Sequence, residues 1–221
     1  MRVIGWGRVP GLGLLGMALA CGSDSGGTTQ PPGPPAAVAI QSGDNQDWYF
    51  DNALPLAYGV RVSDAGNRSV PGVTVAWAVT AGAGSVSATQ STSNANGIAS
   101  TIHTLGSSAA VQTVTATVAS LPAVTFTANA AAPPTTAAVT VDNNFFSPQH
   151  VVVQTGGTVT WTWNSGGTAH NVTYTSGPMP RPPGVTTVTT GAHPNTITLV
   201  GRYDYVCTLH AGMTGSVTVV N

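Results

Sequence analysis

The chain has 221 residues, of which only six are Lys or Arg and seven Asp or Glu, 6% charged against roughly 25% in ordinary soluble domains. All six cations are Arg and all seven acids are Asp, while Thr and Val number 32 and 28. This excludes a basic nucleic-acid footprint, leaves few carboxyl pairs for acid–base catalysis, and removes the straight-chain residues and i,i+4 pairs that support helices. The chain is therefore expected to be all-β, and its 42% hydrophobic content is enough to bury a core.

The first twenty residues carry Arg2 and Arg8, then an apolar stretch over 9–20 that is too short to span a bilayer. Ala18-Leu19-Ala20-Cys21 puts small residues directly before a cysteine. This resembles the lipobox of bacterial lipoproteins and implies a signal peptide over 1–20, acylation of Cys21 and a lipid-anchored, extracytoplasmic protein. By the family rule, Gly22 after the cysteine favours the outer membrane. Residues 21–35 are mostly Gly, Ser, Thr and Pro without apolar periodicity, which reads as a tether.

Residues 36–130 alternate apolar and polar over 38–40, 56–62, 73–79, 98–103, 111–118 and 124–128, with Gly, Asn, Asp and Pro turns between. That spacing predicts a β-sandwich. Val60-Arg61-Val62-Ser63-Asp64-Ala65-Gly66-Asn67, Val70-Pro71-Gly72-Val73 and Asn94-Ala95-Asn96-Gly97-Ile98 resemble bacterial Ig-like domains of the invasin and intimin type. Trp77 is the expected core residue. Trp48, Tyr49 and Phe50 are expected in a loop over 44–52, capping the sandwich, and His103 on the surface. Residues 131–136, with two prolines, read as a linker.

Residues 137–221 predict a second, antiparallel sandwich, with Val159, Trp161 and Trp163 on one face of a strand over 158–163 and further runs at 139–141, 151–153, 197–199, 203–205 and 216–219. Chemistry concentrates near its end, in Cys207-Thr208-Leu209-His210-Ala211-Gly212-Met213. Thiolate, imidazole and thioether within seven residues suit copper, and His170 offers the second imidazole. His150 and His193, the latter in a turn, are expected to be solvated. Met179 lies in the Pro-rich loop over 177–184, with nothing in its spacing to place it at the site.

His170-Asn171, Tyr203-x-Tyr205-x-Cys207, the C-x2-H-x2-M spacing and Gly215-Ser216-Val217-Thr218-Val219 resemble the cupredoxins, the blue-copper proteins that include plastocyanin and amicyanin. The resemblance spans 137–221 and implies a Greek-key sandwich with one type 1 copper ion. His170, Cys207 and His210 would be its trigonal ligands and Met213 the long axial one. It also implies a bond from the Asn171 backbone N–H to the cysteine sulfur. Plastocyanin and amicyanin have proline two residues after the cysteine. Leu209 stands there in this chain, and its free N–H leads us to expect a second bond to sulfur.

The expected function is one-electron transfer rather than enzymatic turnover, because two imidazoles, a thiolate and a weak thioether suit Cu(I) and Cu(II) nearly equally. A redox partner is expected to dock at the His210 face, which is ringed by apolar Leu209, Ala211 and Met213. No nucleic-acid partner is expected. The alternatives are copper handling without electron transfer, and an Ig-like surface adhesin.

Overall fold

Alternating β-branched residues build strands throughout, and no helix occurs among the described residues, 30–221, of this computed structural model. The expected signal peptide and Cys21 lie outside them. Residues from Pro32 to Asn221 form one compact unit containing two separate hydrophobic cores.

The first core lies between two sheets. One has the order β1-β3-β7, from β1 (Ala37–Ser42), β3 (Tyr58–Ser63) and β7 (Ile98–Thr101). The other runs β2-β10-β9-β4-β6, from β2 (Gln46–Tyr49), β10 (Val124–Ala131), β9 (Val111–Thr117), β4 (Thr74–Ala81) and β6 (Gln90–Thr92). A short pair, β5 (Ser85–Val86) with β8 (His103–Thr104), closes one end. Trp77 is buried as expected, and Phe126 stacks on Tyr58 with ring centroids 4.5 Å apart.

Two expectations fail in this half. Trp48 and Tyr49 are not in a loop; they belong to β2, which pairs in parallel with β10, Ala130 opposite Trp48. A partner some eighty residues away leaves no turn signal beside the strand, so local reading missed it. His103 is not on the surface but fully buried, with its Nδ1 3.3 Å from the Tyr58 hydroxyl. The inward set of this run is Ala99, Thr101 and His103, while Ile102 is exposed, so the strand phase opposes what its isoleucines suggested.

The second core lies between the four-stranded order β12-β11-β14-β17 and the five-stranded order β13-β19-β18-β15-β16. Their strands are β11 (Thr136–Asp142), β12 (Phe145–Ser147), β13 (His150–Gln154), β14 (Gly157–Trp163), β15 (His170–Tyr174), β16 (Val185–Val188), β17 (Ala192–Ile197), β18 (Gly201–Val206) and β19 (Thr214–Val220). The sandwich is mixed rather than antiparallel, because β11 runs parallel to β14 and β13 to β19. His193 stands in β17 opposite Trp161, not in a turn, and the strand stops at Ile197, leaving Leu199 exposed.

These pairings place the chemistry. β11 and β14 begin together at Thr136 and Thr158 beside the linker, and end together at Val141 and Trp163. The loop to His170 therefore leaves from the end away from the linker. β18 delivers Cys207 to that same end, where Val206 faces Thr214. At the opposite end, β13 and β19 finish side by side at Gln154 and Val220. There the Asn221 N–H donates to Asn52 Oδ1 of the first sandwich at 2.9 Å, and Asn52 Nδ2 donates back to the Asn221 carbonyl at 3.3 Å.

Candidate metal centre

His170 opens β15 on the inward face and is fully buried; Cys207 follows β18 and is 3% exposed. Both positions follow from alternation: Tyr203, Tyr205 and Cys207 share one side of their strand and all point into the core. The short loop after Cys207 then turns back on itself. The Met213 N–H donates to the His210 carbonyl at 3.3 Å, and the Cys207 N–H to the Met213 carbonyl at 3.0 Å. Gly212 makes this return possible with φ +81°, a conformation that side chains disfavour.

The turn brings His210 over the sulfur. The ligand atoms of His170, Cys207 and His210 all lie within 4.8 Å of one another. Cys207 Sγ is 3.7 Å from His170 Nδ1 and 3.5 Å from His210 Nδ1, and the two imidazole centroids are 4.4 Å apart. Two ring nitrogens thus converge on one thiol from separate chain segments. Burial, with the charged form of His210 adding repulsion, holds the His170 imidazole below its ordinary pKa. It is therefore neutral at physiological pH and presents a lone pair. Its Nδ1 is the nitrogen that faces the sulfur, and its Nε2 is buried without a hydrogen-bond partner among the described residues. A soft thiolate between two imidazoles, with the buried thioether residue Met213 in the same core cluster, fits a copper ion.

The loops are tied by the side chain of Asn171. Its side chain accepts from the Thr208 N–H at 2.8 Å and donates to Thr208 Oγ1 at 2.7 Å, linking the residues that follow His170 and Cys207. Cys207 Sγ itself has the two Nδ1 atoms as its side-chain partners. On this side of the loop it is the Thr208 amide that is engaged, by Asn171 Oδ1. Sequence reasoning missed Thr208. The one available signal was a hydroxyl next to the cysteine, matched by an amide next to the histidine.

Below the ligands stands an aromatic layer. Trp161 meets Tyr205 edge-on at 5.6 Å and Tyr174 at 6.3 Å, and Phe146 meets Tyr205 at 4.9 Å. Burial pushes the Tyr205 hydroxyl up to about 12, so it stays neutral. A Cβ on Gly215 would come within 2.5 Å of Tyr205 Cζ, so glycine is what lets β19 pass this ring. The remaining histidines stand apart from the cluster: His150 Nδ1 is 2.8 Å from Ser216 Oγ, His193 rests edge-on against Trp163, and His103 belongs to the other sandwich. Met179 is 71% exposed.

Residues 135–220 match the family of copper binding proteins of the plastocyanin/azurin type. The second sandwich is thus a cupredoxin domain, and its cofactor is one copper ion at the His170, Cys207 and His210 cluster. Similar solved structures include an oxidised amicyanin mutant, 28% identical, covering 38% of this chain and 81% of its own, with a TM-score of 0.34. A purple cupredoxin from Nitrosopumilus maritimus is 26% identical, with coverage of 38% and 98% and a TM-score of 0.34. Oxidised plastocyanin from Dryopteris crassirhizoma is 25% identical, with coverage of 37% and 98% and a TM-score of 0.33. No curated protein matches the chain.

Proposed function

We propose that the protein is a one-electron carrier held by an acylated Cys21 on an extracytoplasmic membrane face, the outer membrane in a two-membrane cell. An Ig-like sandwich stands between that anchor and the copper domain. The convergence of a ring nitrogen from His170, Cys207 Sγ and a ring nitrogen from His210, all within 4.8 Å of one another, carries the reading. Copper held there supplies a one-electron couple.

The chain's own part is to keep the donor positions unchanged between oxidation states. His170 and Cys207 are buried between sheets, and the Asn171–Thr208 pair locks their loops together. Such a frame resists rearrangement, which keeps the cost of electron exchange small. Met213 is assigned as the weak fourth ligand. His210 is the half-exposed member of the cluster, and half-exposed Leu209 beside it supplies an apolar rim for a redox partner.

Loading the full chain with Cu(II) tests this directly. The expected result is an intense visible absorption band from the cysteine thiolate, absent in Cys207→Ser, and a reversible one-electron voltammetric wave. A loaded protein lacking both would overturn the proposal. The anchor is checked separately by the mass of the mature N-terminus and by release of Cys21→Ala from membranes.

A further inference from the structure

The aromatic run Trp48-Tyr49-Phe50 of the first sandwich has no part in copper binding. Its first two residues end β2, the outermost strand of its sheet, so β10 flanks them on one side only. Trp48 and Phe50 pack partly onto the first core, which leaves Asp47 and Tyr49 on the other face. Register sets Asn129 beside Asp47 and Ala131 beside Tyr49 on that face. Asn129 Nδ2 donates to Asp47 Oδ1 at 2.7 Å, and the Trp48 and Tyr49 ring centroids lie 5.2 Å apart with planes tilted by 47°. These residues and Ala130 line an open cleft of about 400 Å³ where β2 and β10 end together. That volume falls within the range of small-ligand sites, about 300–1,000 Å³.

The lining narrows the class of ligand. It holds one carboxylate, Asp47, and no cation, so anions are repelled. A single carboxylate falls short of the oxygen shell that calcium requires. The two rings are in contact and leave no slot between their faces for an organic cation. An alkyl chain would strip water from the Asp47–Asn129 pair without replacing its hydrogen bonds. A pyranose meets all these conditions. Its C–H face lies on an aromatic ring, and its hydroxyls donate to Asp47 Oδ2 and Asn129 Oδ1, the oxygens that the Asp47–Asn129 bond leaves open. Rings with every hydroxyl equatorial keep that C–H face unobstructed, and a β-1,4 linkage joins them into a flat ribbon suited to an open cleft at a sheet edge. We propose that this cleft binds β-1,4-linked chains of all-equatorial pyranoses, with Trp48 and Tyr49 as the stacking surface and Asp47 and Asn129 as hydroxyl acceptors. A glycan held there would fix the protein beside a polysaccharide through the sandwich that carries no copper. The proposal goes beyond the electron-carrier reading and does not depend on it.

The test titrates the full chain with cellotetraose and, separately, with chitotetraose, following amide NMR shifts. At least one of them should move the amides of Trp48, Tyr49, Asn129 and Ala131 with a Kd of about 1 mM or tighter, and the two arms tell a glucan from an N-acetylglucosamine chain. β-1,4-Galactotetraose, whose axial hydroxyl disrupts the flat rim, should bind at least about fivefold more weakly. Tyr49→Ala and Asp47→Ala change outward side chains and should each weaken binding about tenfold, with the amide shifts of the core unchanged. Trp48 is left in place because it also packs on the core. Phe145→Ala removes an exposed ring from the other sandwich and should leave the Kd within about twofold. A neutral ligand should also bind within about twofold at roughly 10 mM and 0.5 M salt. Binding of neither oligosaccharide would overturn the proposal, as would equal losses in Tyr49→Ala and Phe145→Ala, or the same amides moved by tetramethylammonium alone. Cys207→Ser should leave glycan binding unchanged, so a failure of the electron-carrier reading is seen separately from a failure of the cleft.

Discussion

Asn171→Ala probes the tie between the two ligand-bearing loops. The substitution removes an acceptor 2.8 Å from the Thr208 N–H and a donor 2.7 Å from Thr208 Oγ1. Each such bond contributes about 1 kcal/mol net, and a backbone N–H left without a partner costs about 1–3 kcal/mol. The exposed loop lets water recover part of that loss, so the expected total is about 2–3 kcal/mol. Thr208→Val deletes only the hydroxyl partner and should cost about 1 kcal/mol. Because both changes remove the same Nδ2–Oγ1 bond, the double variant should be less destabilised than the sum of the singles by about 1 kcal/mol. Native-state hydrogen exchange of the amides in β18 and β19 reports the opening free energy of this sandwich separately from the other one. The same variants should lose copper faster to a chelator, in the same rank order. A loss below about 0.5 kcal/mol in Asn171→Ala, or strict additivity in the double variant, would refute the tie as a structural element of the site.

Gly215→Ala places a methyl within 2.5 Å of the Tyr205 ring, between β19 and the aromatic layer. Overpacking against a rigid ring should cost at least about 2 kcal/mol in denaturant unfolding, and an unchanged midpoint would contradict the geometry. His103 is buried and its pKa is lowered by desolvation, so the unfolded chain takes up a proton first as pH falls. Stability of the first sandwich should decline below pH about 6.5, by at most about 1.4 kcal/mol per unit, and His103→Gln should flatten that part of the profile. Asp64 accepts from the N–H groups of Gly33, Gly66 and Arg68 and pairs with the Arg68 side chain, which lowers its pKa to about 2. Its stabilising effect should be complete above its unfolded value, about 4, and fade as pH falls toward 2. Asp64→Asn should remove that acid limb and speed hydrogen exchange at the Gly33 amide.

Much of the site was legible because the residues that carry it are rare in this chain. Cys207, His210 and Met213 sit within one loop, and donor chemistry alone pointed to copper. His170 lies 37 residues earlier and was found because a trigonal site needs a second imidazole. Thr208 escaped because threonine is everywhere in the sequence and nothing local marks this one. The parallel pairings of β2 with β10, β11 with β14 and β13 with β19 escaped for a related reason. Hairpins announce themselves by their turns, whereas strands distant in sequence share no turn to read.

Composition and periodicity by themselves determined that the chain is all-β, since a sequence without Lys or Glu and rich in Thr and Val favours strands over helices. They also determined which residues could ligate a soft metal. Only the tertiary structure decided which face His103 takes, because strand phase is set by the partner strand and not by the hydrophobicity of one residue. It also decided the standing of the few charges. Sparse charge reads as the absence of electrostatic guidance, yet folding pairs Arg202 with Asp204 and leaves Arg181 without an ion pair among the described residues. Net charge is a property of the list of residues; the field that a partner meets depends on which of them the fold brings together.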